Sequence, residues 1–219
     1  MHVVPHSYNA DFMESVEQFL ADEKERVVQD YFDSVFDAML VALAKDPTRS
    51  FSHFEVKHFA SWYERRYSDA LWGQLYSFLW NGQLEIINGG WVLHEDACPN
   101  YQDMLMNIYQ GHQWLYKEFW YYPRVAWSLD HFGHSATNAR LYAESGIEAL
   151  FIANIDPHDK RKRLETNSME FLWRPNFQHL SRKSEIFTHV FFDFDKSPFD
   201  FPVNDTRFKA SYYQVKDNQ

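Results

Sequence analysis

The sequence predicts an α/β fold built from repeated strand–helix units. Short apolar runs alternate with longer segments of helical periodicity, from Val3-Val4 near the start to Met169–Trp173. Polar or glycine-containing residues follow nearly every short run. The stretch from Pro123 to Ser135 reads as a buried strand that ends on Asp130, turns through Gly133 and starts a helix near Ser135. An acid at the carboxyl end of a strand, just before a strand-to-helix turn, is where α/β barrels keep their catalytic groups. Such repeats imply a parallel sheet with right-handed crossovers. An open doubly wound sheet and a barrel both satisfy the pattern.

Each element has its own signal. Val3-Val4 begins a strand. Val27, Val28, Tyr31, Phe32, Val35, Phe36, Met39, Leu40 and Leu43 recur at helical steps, and Asp46-Pro47 stops that helix. Phe51 to Val56 is the next strand, and a helix is expected from His58 to Trp80, ended by Asn81-Gly82. Leu84 to Ile87 is a strand closed by Asn88-Gly89-Gly90-Trp91, and Tyr101 to Phe119 is helical. Arg124 to Leu129 is a strand, and Ala136 to Ser145 a helix capped by Gly146. Ala149 to Ile155 and Met169 to Trp173 complete the set. After Pro175 the alternation decays, so the expected organisation is one domain over residues 1–190 with an irregular tail over 191–219.

The 219 residues, 45% of them hydrophobic, suffice for one sizeable core. The 8 Trp, 13 Tyr and 20 Phe read first as large core side chains. In a cleft the same rings are platforms for sugars. A net charge of −10 argues against a nucleic-acid partner, which needs a basic surface. The run Lys160-Arg161-Lys162-Arg163, between Asp159 and Glu165, reads as a solvated helix face. Cys98 is the one cysteine, so no intrachain disulfide is expected. No signal peptide precedes the first strand and no apolar run is long enough for a bilayer, so no membrane partner is expected. Compartment and oligomeric state stay open.

Several segments carry more than periodicity. They are His2-Val3-Val4-Pro5-His6-Ser7, Asp46-Pro47-Thr48-Arg49, Asn81-Gly82-Gln83-Leu84-Glu85 and Asn88-Gly89-Gly90-Trp91-Val92. Pro123-Arg124-Val125-Ala126-Trp127, Asp130 with Phe132-Gly133-His134-Ser135, and Met169-Glu170-Phe171 with Trp173-Arg174 follow in order. Over roughly residues 2 to 190 the chain resembles the N-terminal catalytic domain of the family 38 glycoside hydrolases, the zinc-dependent α-mannosidases, and most of all the lysosomal-type branch. The resemblance implies a seven-stranded β/α barrel. A complete eight-unit barrel takes about 250 residues, so with about five or six units a partial barrel that does not close is expected.

The resemblance also implies an activity, the removal of terminal α-linked mannose from glycans with retention of configuration. A strand-end aspartate attacks the anomeric carbon, a second carboxylic acid protonates the leaving oxygen, and zinc grips sugar hydroxyls. Retaining glycosidases hold the two carboxyl groups about 5–5.5 Å apart. Asp130 matches the family nucleophile, which is also a zinc ligand, and so is the implied catalytic and metal residue. Trp91 and Trp127 are the candidates for contact with mannose-containing glycans.

The pattern breaks at the first strand. The family's second histidine and its aspartate there bind zinc, and those positions are Tyr8 and Ala10. Alanine offers no donor atom, and a tyrosine hydroxyl must lose a proton with pKa near 10 to ligate well. Asp11 lies one residue beyond, where a strand-end side chain turns elsewhere. The family's stacking tryptophan is Met13, and His6 is kept. Its Gly-Arg-x-Asp appears as Ala153-Asn154-Ile155-Asp156, and its Asn-Asp-Glu-Ala as His94-Glu95-Asp96-Ala97. The remaining zinc histidine and the general acid have no counterpart in the sequence. Catalytic zinc takes three protein ligands, so zinc is expected in the family and not on this chain. His94, His131 and His134 match no metal-binding spacing. Three readings follow: a mannosidase by descent that is inactive here, a glycan-binding or partner module, and a fragment without function. Glu55 and His58 read as a surface salt bridge, and His134 as a histidine bracing its turn.

Overall fold

The computed structural model describes residues 22–97, 99–129, 131, 133–175 and 184–192. The expectations for the first strand with His6, Tyr8, Ala10, Asp11 and Met13, and for Cys98, Asp130 and residues 193–219, lie outside the described residues.

The chain alternates helices and strands: α1 (Asp22–Lys45), β1 (Phe51–His53), α2 (Val56–Arg66), α3 (Asp69–Asn81), β2 (Leu84–Ile86) and α4 (Tyr101–Phe119), then β3 (Val125–Ser128), α5 (Ala136–Glu144), β4 (Ala149–Ile152), α6 (Pro157–Glu165), β5 (Glu170–Trp173) and β6 (Ile186–Val190). β1 and β2 pair in parallel, and a second sheet runs β3-β4-β6-β5. Within it β3, β4 and β6 are parallel, and β5 is antiparallel to β6. The fold is therefore mixed α/β with two small sheets, neither of them closed among the described residues.

Three expectations are corrected. The helix expected over 58–80 is two helices. Tyr67 and Ser68 are extended, and the Ser68 hydroxyl accepts the Leu71 N–H at 3.2 Å to cap α3. The sixth strand is not a further parallel unit, because β5 turns back along β6. And β6 lies where the alternation faded: Ile186, Thr188 and Val190 are buried while Phe187 is exposed. The basic run of α6 is a solvated face as expected. The helix buries no residue, and Arg163 pairs with Asp159 while lying 4.2 Å from the Phe171 ring centre.

Alternation across the strands sorts side chains onto two faces. Leu84 and Ile86 join Phe32, Phe36, Phe59, Trp62, Leu75 and Phe119 in a core under α1–α4. Ala126, Leu150, Ile152, Ile186 and Val190 pack with Ala139 and Tyr142 of α5 and Ile108 of α4. Each fully buried large apolar side chain contributes about 1.5–3 kcal/mol. The opposite face carries a smaller cluster of Phe54, Ile87 and Trp127, with Val125, Leu129 and Phe151 half-buried against it.

The two sheets are joined by a side chain. Asn88 sits at φ 60°, just past β2. Its backbone N–H donates to Val125 O, its Nδ2 donates to Trp127 O at 2.9 Å, and Trp127 N–H donates to its Oδ1 at 2.6 Å. The amide thus supplies β3 with the donor and acceptor that a neighbouring strand would supply. α4 presses on this turn from outside. Gly111 is so close that a Cβ on it would stand 1.9 Å from Gly89 O, and one on Gly89 would meet Pro123 at 2.4 Å.

Gly111→Ala should therefore destabilise the chain by about 3 kcal/mol or more through overpacking against backbone. Gly73→Ala in α3, where a new Cβ meets nothing within 4 Å, should stabilise it by up to about 1 kcal/mol. Urea unfolding of both variants checks the contrast.

Candidate functional site

The carboxyl ends of β2 and β3 face one another through their following segments. Asn107 on α4 organises the first. Val92 N–H donates to its Oδ1 at 2.9 Å, and its Nδ2 donates to Val92 O at 2.8 Å and to His94 Nδ1 at 3.0 Å. Because Nδ1 accepts, His94 carries its proton on Nε2 and donates it to Asn138 Oδ1 at 2.9 Å. Asn138 Nδ2 then donates to Asp96 Oδ1 at 2.6 Å, and the Ser135 N–H donates to Asp96 Oδ2 at 2.7 Å. One chain of directed hydrogen bonds thus runs from α4 through the 92–96 segment to the start of α5. Burial holds His94 below the ordinary histidine range, with the Asn138 bond opposing it.

The segment after β3 meets this network from the other side. His131 is buried, its Nδ1 hydrogen-bonded to Ser128 Oγ and its Nε2 3.6 Å from Glu95 Oε1. His134 Nε2 donates to Asn154 O at 3.0 Å, bracing the turn against the end of β4. Burial lowers its pKa, and its Nδ1 is buried without a partner among the described residues. Residue 130 lies in the chain between these groups and β3.

Glu55 and His58 are not the surface pair the sequence suggests. Both are buried, with Glu55 Oε2 3.8 Å from His58 Nε2. Burial, against the Leu93 N–H and Lys57, raises Glu55 to about 7, and burial lowers His58 to about 4.

The tryptophans part company. Trp127 is 7% exposed, on the sheet face opposite Ala126, and meets Phe54 edge-on with ring centres 5.7 Å apart. Trp91 is half-buried against the helical core, tied by its N–H to Asn107 O. Of the network residues, Asp96 enters the sequence analysis only within His94-Glu95-Asp96-Ala97, and Asn107 and Asn138 do not enter it. Their signal is tertiary, because 42 positions separate Asn138 from Asp96. Among the described residues no group of three or more His, Cys, Asp or Glu could hold a metal ion. His94 spends both ring nitrogens on protein partners, and His134 spends Nε2. A cavity of about 390 Å³ opens elsewhere, at the β5–β6 edge by Glu170, His189 and Phe192.

Polar side chains gathered at strand carboxyl ends are the arrangement in which α/β enzymes place their active sites. Comparison with known proteins makes this specific. The Glycosyl hydrolases family 38 N-terminal domain matches residues 1–218, and the chain belongs to that family. It is 36% identical over 209 residues to an alpha-mannosidase of Arabidopsis thaliana, covering 94% of this chain and 20% of that protein. It is 30% identical over 193 residues to the lysosomal alpha-mannosidase of Homo sapiens, covering 87% and 19%. The chain thus spans about one fifth of the length of these relatives. Among solved structures, an alpha-mannosidase from Enterococcus faecalis V583 shares the fold with a TM-score of 0.61 at 16% identity, over 86% of this chain and 19% of that one. No helix among the described residues is long and apolar enough to cross a membrane.

Acid should weaken this region. His58, His94, His112 and His134 all have lowered pKa values, chiefly through burial. The stability each contributes is present above the unfolded value near 6.5 and is lost as pH falls through the lower folded value. Glu55 and Glu85, raised by burial, act in the opposite sense. The urea midpoint is expected to drop between pH 7 and pH 5. Asn138→Ala, which strips His94 and Asp96 of partners, should cost about 1–3 kcal/mol at pH 7.

Proposed function

We propose that the chain is an α-mannosidase-type domain whose zinc centre has lost its ligands, and that it does not hydrolyse mannosides. On this reading residues 1–190 form a partial seven-stranded β/α barrel, with 191–219 as a tail of the same domain. Asp130 occupies the place of the family nucleophile. The observation that carries the reading is Ala10, with Tyr8 beside it, at positions where the family ligates zinc. With two of the family's ligand positions replaced, too few donors remain for an ion that takes three protein ligands at catalytic sites. His94 supports the reading, because both of its ring nitrogens serve the hydrogen-bond network.

A second reading, binding of mannose-containing glycans, is favoured by the aromatic cluster of Trp127 and Phe54 at the carboxyl ends of β3 and β1. Sugar binding needs stacking and hydrogen bonds and can outlast catalysis.

Metal analysis of the purified chain, paired with an aryl α-mannoside assay, tests the first reading. The expected result is zinc well below stoichiometric and no turnover; stoichiometric zinc with turnover would overturn it. Tyr8→His with Ala10→Asp, which rebuilds a three-ligand set with Asp130, should raise zinc retention in the same measurement. Saturable quenching of tryptophan fluorescence by an α-mannoside, lost in Trp127→Phe, would establish the second reading.

A further inference from the structure

The turn from β1 into α2 holds a buried pair that the glycosidase reading does not use. Glu55 precedes the first residue of α2 and its side chain does not cap the helix. The capping is done by backbone: Val56 N–H donates to Gly90 O at 3.1 Å, and Lys57 N–H to Trp91 O at 2.8 Å. The Glu55 carboxyl is therefore free to turn inward. Its Oε1 accepts the Leu93 N–H at 3.4 Å, while its Oε2 points at His58 Nε2, 3.8 Å away. Oε2 and Nε2 are both buried, and among the described residues neither has a hydrogen-bond partner. The other side of the His58 ring is closed by Phe32 of α1, stacked at 4.1 Å and 10°.

Two buried polar atoms that face each other without another partner among the described residues are costly unless a proton joins them. With one proton between them, the carboxylic acid donates to the imidazole, or the imidazolium to the carboxylate, and the pair is neutral overall. With none, a carboxylate is left buried with a single long amide bond.

We propose that Glu55 and His58 are one proton-sharing pair whose role is positioning: it locks the β1–α2 turn to the segment carrying Leu93 and His94. The pair touches no reacting group and acts through that segment. Lys57 is the charged group acting on both members; α1 contributes the Phe32 ring and the 90–93 segment contributes amides and carbonyls.

The pH window follows from the two shifts. Glu55 lies above its unfolded value of 4.5, at about 7, so its contribution is complete below 4.5 and is lost as pH rises through 7. His58 lies below its unfolded value of 6.5, at about 4, so its contribution is complete above 6.5 and is lost as pH falls through 4. The slopes oppose each other in between. The pair thus holds its single proton between about pH 4 and about pH 7 and gives it up above that.

The test uses the whole chain and does not depend on mannoside turnover or zinc. Carbon-13 and nitrogen-15 spectra should show the Glu55 carboxyl and the His58 ring passing through a common inflection near neutral pH, since coupled groups titrate as a pair. Glu55→Gln should remove that inflection from the His58 ring while keeping the Leu93 amide protected from hydrogen exchange. Glu55→Ala should speed exchange at Leu93 about tenfold, the equivalent of one modest hydrogen bond, and leave Val92, held by Asn107, unchanged. A Glu55 carboxyl titrating alone near its ordinary value, or a Leu93 amide indifferent to Glu55→Ala, would overturn the proposal. Should Glu55→Ala not fold, the wild-type and Glu55→Gln titrations still decide it.

Discussion

The structure depends on one side-chain amide standing in for a strand. The two sheets share no ladder, yet β3 must be held beside β2 if their carboxyl ends are to face a common space. Asn88 does this by presenting Nδ2 and Oδ1 to the Trp127 backbone. An aspartate offers no donor there and would bury charge; a glutamine carries the amide one carbon too far. The left-handed backbone at Asn88, which asparagine tolerates better than most residues, aims the amide across the gap. Gly89, Gly90 and Gly111 follow from the same constraint, because α4 approaches the turn too closely for any Cβ. His112, donating from Nε2 to Asn88 O, fastens the helix to the clamp itself.

From that clamp the polar architecture continues in one direction. Asn107 secures the segment after β2, His94 passes the bonding to Asn138, and Asp96 receives both Asn138 and the first amide of the following turn. Every donor in this sequence has an acceptor, so it stiffens the strand ends rather than leaving groups free for a ligand.

The sheet face away from the helices shows the other consequence of the topology. Trp127, Phe54 and Ile87 cover each other at the β1–β2–β3 end. Towards β5 the cover thins: Phe187 is 40% exposed and Leu172 66%. Turning β5 antiparallel along β6 satisfies the backbone of that edge without adding a further strand–helix unit.

The sequence by itself determined the alternation of elements, the family, and most strand and helix positions, because periodicity and the Asn88-Gly89-Gly90-Trp91 and Phe132-Gly133-His134-Ser135 segments are local signals. It did not reveal the break at Ser68, where a short cap interrupts continuous helical patterning, nor β6, whose short run follows a stretch without clear periodicity. Its surface assignment of Glu55 and His58 failed because a charged residue beside a helix start reads as solvated until the neighbouring segments close over it. Only the tertiary structure decided that burial, and only it paired His94 with Asn138 and Asn88 with Trp127. Those contacts join residues about forty positions apart. Hydrogen-bond partners at that separation are chosen by how the strands and helices pack, which no local pattern encodes.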